Sequence, residues 1–524
     1  MSEDTHIEDL LDDVREAKRA VADAGRPDAV EKQHAQNKLT ARERVDHLCE
    51  AFDEIGQLAA PAPTTPETAD WDREDAPADG VVAGVGDVDG RPVAVAATDF
   101  TVKGGSIGHT GGEKLKRVME LALERGFPTV LLHDGGGHRI QEGLDARPTA
   151  QGDGGIFRLQ TKLSGWVPIV SAMMGPGFAA PTNFSAMADF VPMVEGSTLG
   201  VAGPSLVKAA LGVDLSKEEL GGAGFQTAET GMADRAYEDD EACLDGIREF
   251  LSYLPRNARR DPPNAEARPP AEATRERLLD VMPADPKKGY DIYAIIEGVT
   301  DEETFFETKP KFARNIVTGF ARVDGRPVGV VANNPRVMAG TIDADASTAA
   351  ARFVSLCDAF GLPVVALEDV PGILPGPDSE RDGVARAAGK LPFELNRATV
   401  PIINLVLRRG YGFGHVAMGG GESVQNVLTA VWPTAEVAAM GIEGAVDVVH
   451  GREIEAADDP EAKRQELIEF YKDRTDAVRS VEGVGMDAVI EPTETYGWVK
   501  RALNRYDEPR EEEWPPKKHA INPW

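Results

Sequence analysis

The chain repeats itself, and that constrains its fold more than any other feature. Asp89-Gly90-Arg91-Pro92-Val93 returns as Asp324-Gly325-Arg326-Pro327-Val328, 235 positions later. At the same offset Gly105-Ser106-Ile107 meets Gly340-Thr341-Ile342, Gly126-Phe127-Pro128 meets Gly361-Leu362-Pro363, and Asp134 and Gly137 meet Asp369 and Gly372. With the offset reduced to 233, Val167-Pro168-Ile169 meets Val400-Pro401-Ile402, and Gly177-Phe178 meets Gly410-Tyr411. A chance match of five residues is easy to imagine; a register kept over about 90 residues with one slip is not. The chain builds one domain twice.

Both copies follow one local grammar. A β-rich run (93–98; 328–333) reaches a Gly-containing turn, and a helix (114–125; 349–360) closes on Gly-x-Pro. A short apolar strand (130–132; 364–367) and another (168–173; 401–407) each end in a Gly-rich loop. Apolar strands without strict alternation, separated by helices, predict an α/β fold with a mostly parallel sheet flanked by helices in each copy. Residues 1–254 read as the first copy with leading helices, and Thr5-x-x-Glu8 and Thr40-x-x-Glu43 read as capping boxes for those helices. Residues 61–80 read as an extended connection and 255–286 as a Pro-rich linker holding a short helix near 274–281. Residues 287–506 are then the second copy and 507–524 a charged tail.

Composition narrows the function classes. Against 56 basic residues stand 88 acidic ones, a formal charge of −32, which argues against a surface for nucleic acid or anionic membrane. Hydrophobic residues at 42% supply a real core. No run reaches the roughly 18–20 apolar residues that span a bilayer, and the first residues are acidic and polar, so the chain reads as cytoplasmic. Cys49, Cys243 and Cys357 lie far apart with no Cys/His cluster of metal-ligand spacing; they read as small core hydrophobes, and no metal is expected.

The four Gly-rich loops carry the candidate chemistry: 134–139 and 175–180 in the first copy, 369–373 and 409–414 in the second. They stand at the carboxyl ends of parallel strands, where open α/β sheets bind ligands. Two loops per copy can aim one backbone N–H each at a single oxygen, an oxyanion hole for a thioester enolate or a similar anion. The competing reading, that the glycines only close strand-to-helix turns, weakens when the pattern occurs twice in each of two copies.

Several segments resemble the carboxyltransferase (β) subunits of biotin-dependent acyl-CoA carboxylases. They are Lys38-Leu39-Thr40-Ala41-Arg42-Glu43-Arg44, Asp99-Phe100-Thr101-Val102-x-Gly104-Gly105-Ser106, Arg139-Ile140-Gln141-Glu142-Gly143 and Glu219-Leu220-Gly221-Gly222-Ala223. Asp343-x-Asp345-Ala346-Ser347 with Ala350-Ala351-Arg352-Phe353, and Trp432-Pro433-Thr434-Ala435-Glu436, complete the set, which runs in the family's order from about Lys38 to Asn504. The resemblance implies a doubled crotonase-like (ClpP/crotonase) fold. It further implies carboxyl transfer from carboxybiotin, delivered by a biotin carboxyl carrier protein and made by a biotin carboxylase, to the α carbon of an acyl-CoA.

Carried across position by position, the resemblance assigns the thioester oxygen to the amides of Gly137 or His138 with Ala179 or Ala180. The ureido oxygen falls to Gly372 or Ile373 with Phe413 or Gly414, and Tyr411 is counted among the residues that hold the cofactor. Lys114, beside Lys116 and Arg117 and near Lys103, is expected to bind CoA phosphates through some of these cations. Arg139 and Glu142 are expected to tie their loop together. Val416, apolar at a position that shapes the family's acyl pocket, implies acyl groups longer than acetyl. The chain departs from the family at Gly135-Gly136-Gly137-His138, Ala179-Ala180-Pro181 and Tyr411-Gly412-Phe413-Gly414, where backbone donors survive only if φ stays negative.

No biotinylation motif of Ala-Met-Lys-Met type and no unassigned ATP-binding module is found, so both partner activities are expected on other polypeptides. The resemblance also implies a two-fold dimer sharing each site between chains, and a hexameric ring of three dimers. The alternatives are a decarboxylase or transcarboxylase subunit, a scaffold that has lost activity, and a biotin-independent crotonase-type enzyme with Glu142 as base. The spread of acid through loops such as Glu238-Asp239-Asp240-Glu241 reads as a halophilic-type surface, whose self-repulsion salt screens. The unfolding midpoint is therefore expected to rise as KCl is raised from low to molar concentration. A midpoint already maximal at low salt refutes that reading.

Overall fold

Asp89-Gly90 and Asp324-Gly325 adopt left-handed backbone (φ 49° and 71°; 55° and 78°), the conformation of a two-residue hairpin turn. A hairpin forms around each. The computed structural model describes residues 3–143, 154–420, 426–482 and 485–506, so the expected tail lies outside the described residues. The chain divides into two units, Met1–Arg260 and Asp261–Trp524.

Unit 1 contains β1 (Ala51–Glu54), β2 (Val81–Val88), β3 (Arg91–Thr98), β4 (Thr129–His133), β5 (Ile169–Met173), β6 (Pro176–Phe178), β7 (Pro192–Val194), β8 (Thr198–Gly200) and β9 (Arg235–Tyr237). Its main sheet runs β1-β2-β3-β4-β5-β7-β9, with β6 and β8 paired apart from it. Unit 2 contains β10 (Phe306–Glu307), β11 (Ile316–Val323), β12 (Arg326–Asn333), β13 (Val364–Val370), β14 (Ile402–Tyr411), β15 (Asn426–Val431), β16 (Glu436–Ala438) and β17 (Ala488–Val489). These form one sheet in the order β10-β11-β12-β13-β14-β15-β17, with β16 on β14. In both units the hairpin edge is antiparallel and the rest parallel.

The duplication extends to the hydrogen-bond register. Val81 faces Thr98 where Ile316 faces Asn333, Ala94 faces Thr129 where Gly329 faces Val364, and Thr129 faces Ile169 where Val364 faces Ile402. These are the offsets of 235 and 233 found in the sequence. The central strands are buried along their whole length, as strands covered on both faces must be. Helix His109–Arg125 lays Leu115, Val118, Met119 and Ala122 into the core and stops at Gly126, left-handed at φ 64°.

The leading segment is built around charge. Thr40 accepts from Glu43 N–H and Glu43 accepts from Thr40 N–H, the capping box expected there. Thr5, by contrast, lies inside helix Glu3–Val21, so no box starts at that position. The Pro-rich stretch expected as a linker is bound along unit 2 after residue 260. Ala265 N–H donates to Gly325 O (2.9 Å), Arg322 donates to Pro263 O (2.7 Å), and Leu278 joins a core with Ile296 and Val299. All three cysteines are buried, and burial pushes the Cys49 thiol up to about 12. Among the described residues no helix is long and apolar enough to cross a membrane.

Beyond the carboxyl end of β4, the fully buried Asp134 accepts from Lys38 (2.5 Å), Arg44 (2.9 Å) and Gln33 (3.0 Å). At the matching place on β13, buried Asp369 accepts from Arg408 (2.8 Å) and Arg409 (2.7 Å). Deleting one member of such a buried set leaves uncompensated charge, which costs about 3–5 kcal/mol. Asp134→Asn should therefore lower the unfolding free energy by about 3 kcal/mol in urea titration. Asp447→Asn, at a half-exposed surface pair with Arg464, should change it by less than about 1 kcal/mol.

Candidate functional site

In each unit a one-residue parallel bridge fixes the first Gly-rich loop. Ile107 N–H donates to Gly137 O (2.9 Å) and Ile107 O accepts from Arg139 N–H (2.9 Å). His138, between those two, turns its own N–H to the opposite side. Likewise Ile342 N–H donates to Gly372 O (3.1 Å) and Ile342 O accepts from Leu374 N–H (2.8 Å), turning Ile373 outward. The two bridges stand 235 positions apart, residue for residue.

The second loop of each unit runs into a short helix, Ala180–Ser185 or Gly412–Ala417. Ala180 and Phe413 lie in first turns, where an N–H has no acceptor inside its helix, and neither donates elsewhere among the described residues. The loops approach closely. A Cβ on Gly137 would stand 3.2 Å from Ala180 N, and one on Gly414 would stand 2.9 Å from Gly372 Cα. Each unit thus brings together one bridge-turned amide and one helix-start amide: His138 with Ala180, and Ile373 with Phe413. Such a pair, free and preorganised, can hold a developing oxyanion without reorganising when charge appears.

One of the expected donors is placed otherwise. Ala179 N–H donates to Gly200 O (3.1 Å), so that amide is committed to the fold and Ala180 carries the free one. Gly137 and Gly372 accept at the bridges through their carbonyls, which commits neither N–H, and Gly414 is buried against Gly372. The expected negative φ fails at Ala179, which sits at φ 65°, ψ −111°, in the place where unit 2 has Gly412 at φ 54°.

Behind His138 the loop is held by charge. Arg139, fully buried, binds Asp79 and Glu142 (2.9 Å to the latter). Those carboxylates also cap helix His109–Arg125: His109 N–H donates to Glu142 (2.6 Å) and Gly111 N–H to Asp79 (2.7 Å). The His138 ring folds back, its Nε2 meeting Gly143 O at 3.0 Å. Glu142, buried and fully engaged, is not poised as a base.

The expected phosphate cations separate. Lys114 is buried; its ammonium donates to Ala78 O (3.1 Å) and Val81 O, and burial lowers its pKa to about 8. It holds the 78–81 turn and is not available to a phosphate. Lys103 is exposed, with its ammonium 4.1 Å above the Trp71 ring, and Arg117 is exposed with no ion-pair partner among the described residues. In unit 2 the Tyr411 hydroxyl donates to Glu436 (2.5 Å), and Phe413 and Val416 present exposed side chains on the short helix.

The carboxyl transferase domain family matches residues 32–521 of the sequence. The chain belongs to this family. It is 41% identical to the propionyl-CoA carboxylase carboxyltransferase subunit of Haloferax mediterranei, over 99% of each chain. It is 40% identical to the methylmalonyl-CoA carboxyltransferase 12S subunit of Propionibacterium freudenreichii subsp. shermanii, over 99% of this chain and 98% of that one. A solved transcarboxylase 12S structure with methylmalonyl-CoA bound superposes with a TM-score of 0.91 at 38% identity, covering 100% and 99% of the two chains.

The motifs that carry the family likeness have local jobs in this carboxyl transferase. In 38–44, Lys38 and Arg44 neutralise Asp134 while Arg42 pairs with Glu54 (2.5 Å). In 432–436, Trp432 is buried with its indole on Thr495 (3.0 Å), and Glu436 receives the Tyr411 hydroxyl. Sequence reasoning passed over Glu368 and His415, which pair at 2.7 Å beneath the second amide pair. Two adjacent acidic residues, Glu368 and Asp369, at the end of the apolar run 364–367 were the available signal.

A non-glycine residue in left-handed backbone costs about 1–2 kcal/mol. Ala179→Gly is expected to raise the unfolding free energy by about 1 kcal/mol or more in urea titration, because the strain lies at φ and the amide bond to Gly200 is kept. A loss of stability would show that the alanine is unstrained.

Proposed function

We propose that this chain is the carboxyltransferase subunit of a biotin-dependent acyl-CoA carboxylase. The observation that carries the reading is that each unit sets two free amides on adjoining loops, one turned outward by a parallel bridge and one in the first turn of a short helix. Carboxybiotin, brought by a carrier protein, supplies the CO₂ and a ureido nitrogen that takes the α-proton of the thioester. The chain's part is electrostatic. His138 and Ala180 hold the thioester oxygen as it becomes an enolate oxygen; Ile373 and Phe413 hold the ureido oxygen as its ring loses CO₂. Neither pair changes its protonation state, which suits a reaction whose proton moves between the two substrates.

The two oxygens belong to reactants that must come within about 3–3.5 Å. We propose that the unit 1 pair of one chain works with the unit 2 pair of another in a homo-oligomer built from two-fold dimers. Biotin carboxylase and the biotin carrier are the further partners, and the setting is the cytoplasm. The apolar Val416 supports a thioester longer than acetyl. Engagement of Glu142 with Arg139 and His109 disfavours a biotin-independent reaction with that residue as base.

The test is acyl-CoA release from methylmalonyl-CoA, with malonyl-CoA as comparison, in the presence and absence of free biotin. Release is expected to require biotin and to favour methylmalonyl-CoA by about tenfold or more, the worth of one methyl group in a pocket. Ala180→Pro and Ile373→Pro each delete one free N–H without breaking a hydrogen bond of the fold, and each is expected to lower kcat about 10²–10³-fold. A mixture of the two variants, after chain exchange, should recover part of the activity. Release without biotin, or variants with unchanged kcat, would sink the proposal.

A further inference from the structure

We propose that His415, pinned by the buried carboxylate of Glu368, is a positioning residue for the amide pair of unit 2, a charged device that unit 1 does not have. The inference rests on the proposed role of that pair in holding the ureido oxygen. It comes from comparing one node in the two units. His133, Ser171 and Thr182 occupy in unit 1 the places that Glu368, Asn404 and His415 occupy in unit 2, at the same offsets of 235 and 233.

In unit 1 the node is neutral. His133 Nε2 meets Ser171 Oγ at 3.1 Å, Ser171 meets Ser185 at 2.9 Å, and Ser185 donates to Pro181 O (3.0 Å). Burial pushes the His133 imidazole down to about 4, and Thr182 donates to Gly200 O (2.7 Å). In unit 2 Asn404 donates to one oxygen of Glu368 (3.0 Å) and His415 Nδ1 donates to the other (2.7 Å), with Glu368 fully buried and His415 largely so. Since unit 1 builds the same strands in the same register without an ion pair, the fold itself does not require one.

Space has been left for the pair. A Cβ on Gly410 would stand 2.8 Å from Glu368 Oε1 and 3.1 Å from His415 Nδ1, and one on Gly420 would enter the imidazole at 2.2 Å. The lever is short at both ends. His415 lies two residues after Phe413 on helix Gly412–Ala417, and Glu368 lies on β13, which leads directly into Gly372-Ile373. The bond therefore ties the element carrying one free amide to the element carrying the other. Burial alone would lower the His415 pKa, but the charge and hydrogen bond of Glu368 raise it above its ordinary value, so the imidazolium persists to higher pH. Among the described residues Glu368 is the charged group that faces the ring. From β14 the neighbour is Gly410, from the turn beyond the helix it is Gly420, and neighbouring Asp369 is turned to Arg408 and Arg409.

The experiment uses the full chain with methylmalonyl-CoA and free biotin. His415→Gln and the isosteric Glu368→Gln are expected to raise the KM for biotin at least fivefold and lower kcat about tenfold, leaving the KM for the thioester within twofold. Wild-type kcat/KM for biotin should fall as pH rises through the His415 titration, and His415→Gln should lack that limb. Hydrogen exchange gives a readout that needs no turnover: peptides covering 370–376 and 411–417 should exchange faster in Glu368→Gln, while those covering 135–140 and 178–183 do not. Unchanged biotin kinetics with unchanged exchange at 370–376 and 411–417, or faster exchange in both units alike, would overturn the inference. A wild-type chain without biotin-dependent release would overturn the proposed function instead, and the exchange pattern would still decide whether His415 positions these loops.

Discussion

A buried carboxylate at the end of a central strand, neutralised by two cations, is the constraint on which both halves of this molecule depend. Asp134 and Asp369 stand at matching places, each with no exposed side chain, and each opens the loop that carries the bridge-turned amide. An isolated buried carboxylate is strongly unfavourable, so the loops can exist only if cations reach these positions. Unit 1 draws them from the leading segment, Lys38 and Arg44, and unit 2 from its own next strand, Arg408 and Arg409. That difference explains why the chain needs a leading segment before the first repeat. It also explains a glycine: a Cβ on Gly175 would fall 1.9 Å from an Asp134 oxygen.

Because the chemistry is assigned to backbone amides, the side chains at the same positions are free to change. His138 stands where Ile373 stands, Ala180 where Phe413 stands, and Ala179 where Gly412 stands, yet the bridges and the positive-φ residues coincide and the short helices begin within one residue of each other. What a duplicated site must keep is the direction of N–H bonds, and direction is set by pairing partners outside the loops. Ile107 and Ile342, each a single residue bridged to a loop, perform that task.

Much of the fold was legible because a repeat offset is a statement about register, and register was what the two sheets preserved. The choice among donors was not legible, since whether Ala179 or Ala180 has a free N–H depends on Gly200, a strand away in sequence. Lys114 is a different kind of miss. Its basic neighbours suggested a phosphate site, but it shares the helix face of Gly111, Leu115 and Val118, all buried, while Glu113 and Arg117 point outward. The period of 3.6 residues placed that lysine inside, and a buried ammonium must be solvated by carbonyls, here those of Ala78 and Val81.

The withdrawal of Lys114 sharpens an electrostatic problem. A chain of net charge −32 is proposed to bind a thioester whose carrier bears several phosphates, and at low salt the long-range field opposes that approach. Of the cations expected to meet phosphate, Lys103 over Trp71 and Arg117 remain exposed, and they act only at short range. At roughly 1 M salt the screening length falls to about 3 Å, so distant carboxylates cease to repel while a cation in contact with a phosphate still attracts it. The same ions that relieve repulsion among the chain's own carboxylates would thus let a polyanionic substrate reach the loops. Stability and substrate capture then share one dependence on salt, and an acidic surface is compatible with a phosphate-bearing ligand only because contact and field act over different distances.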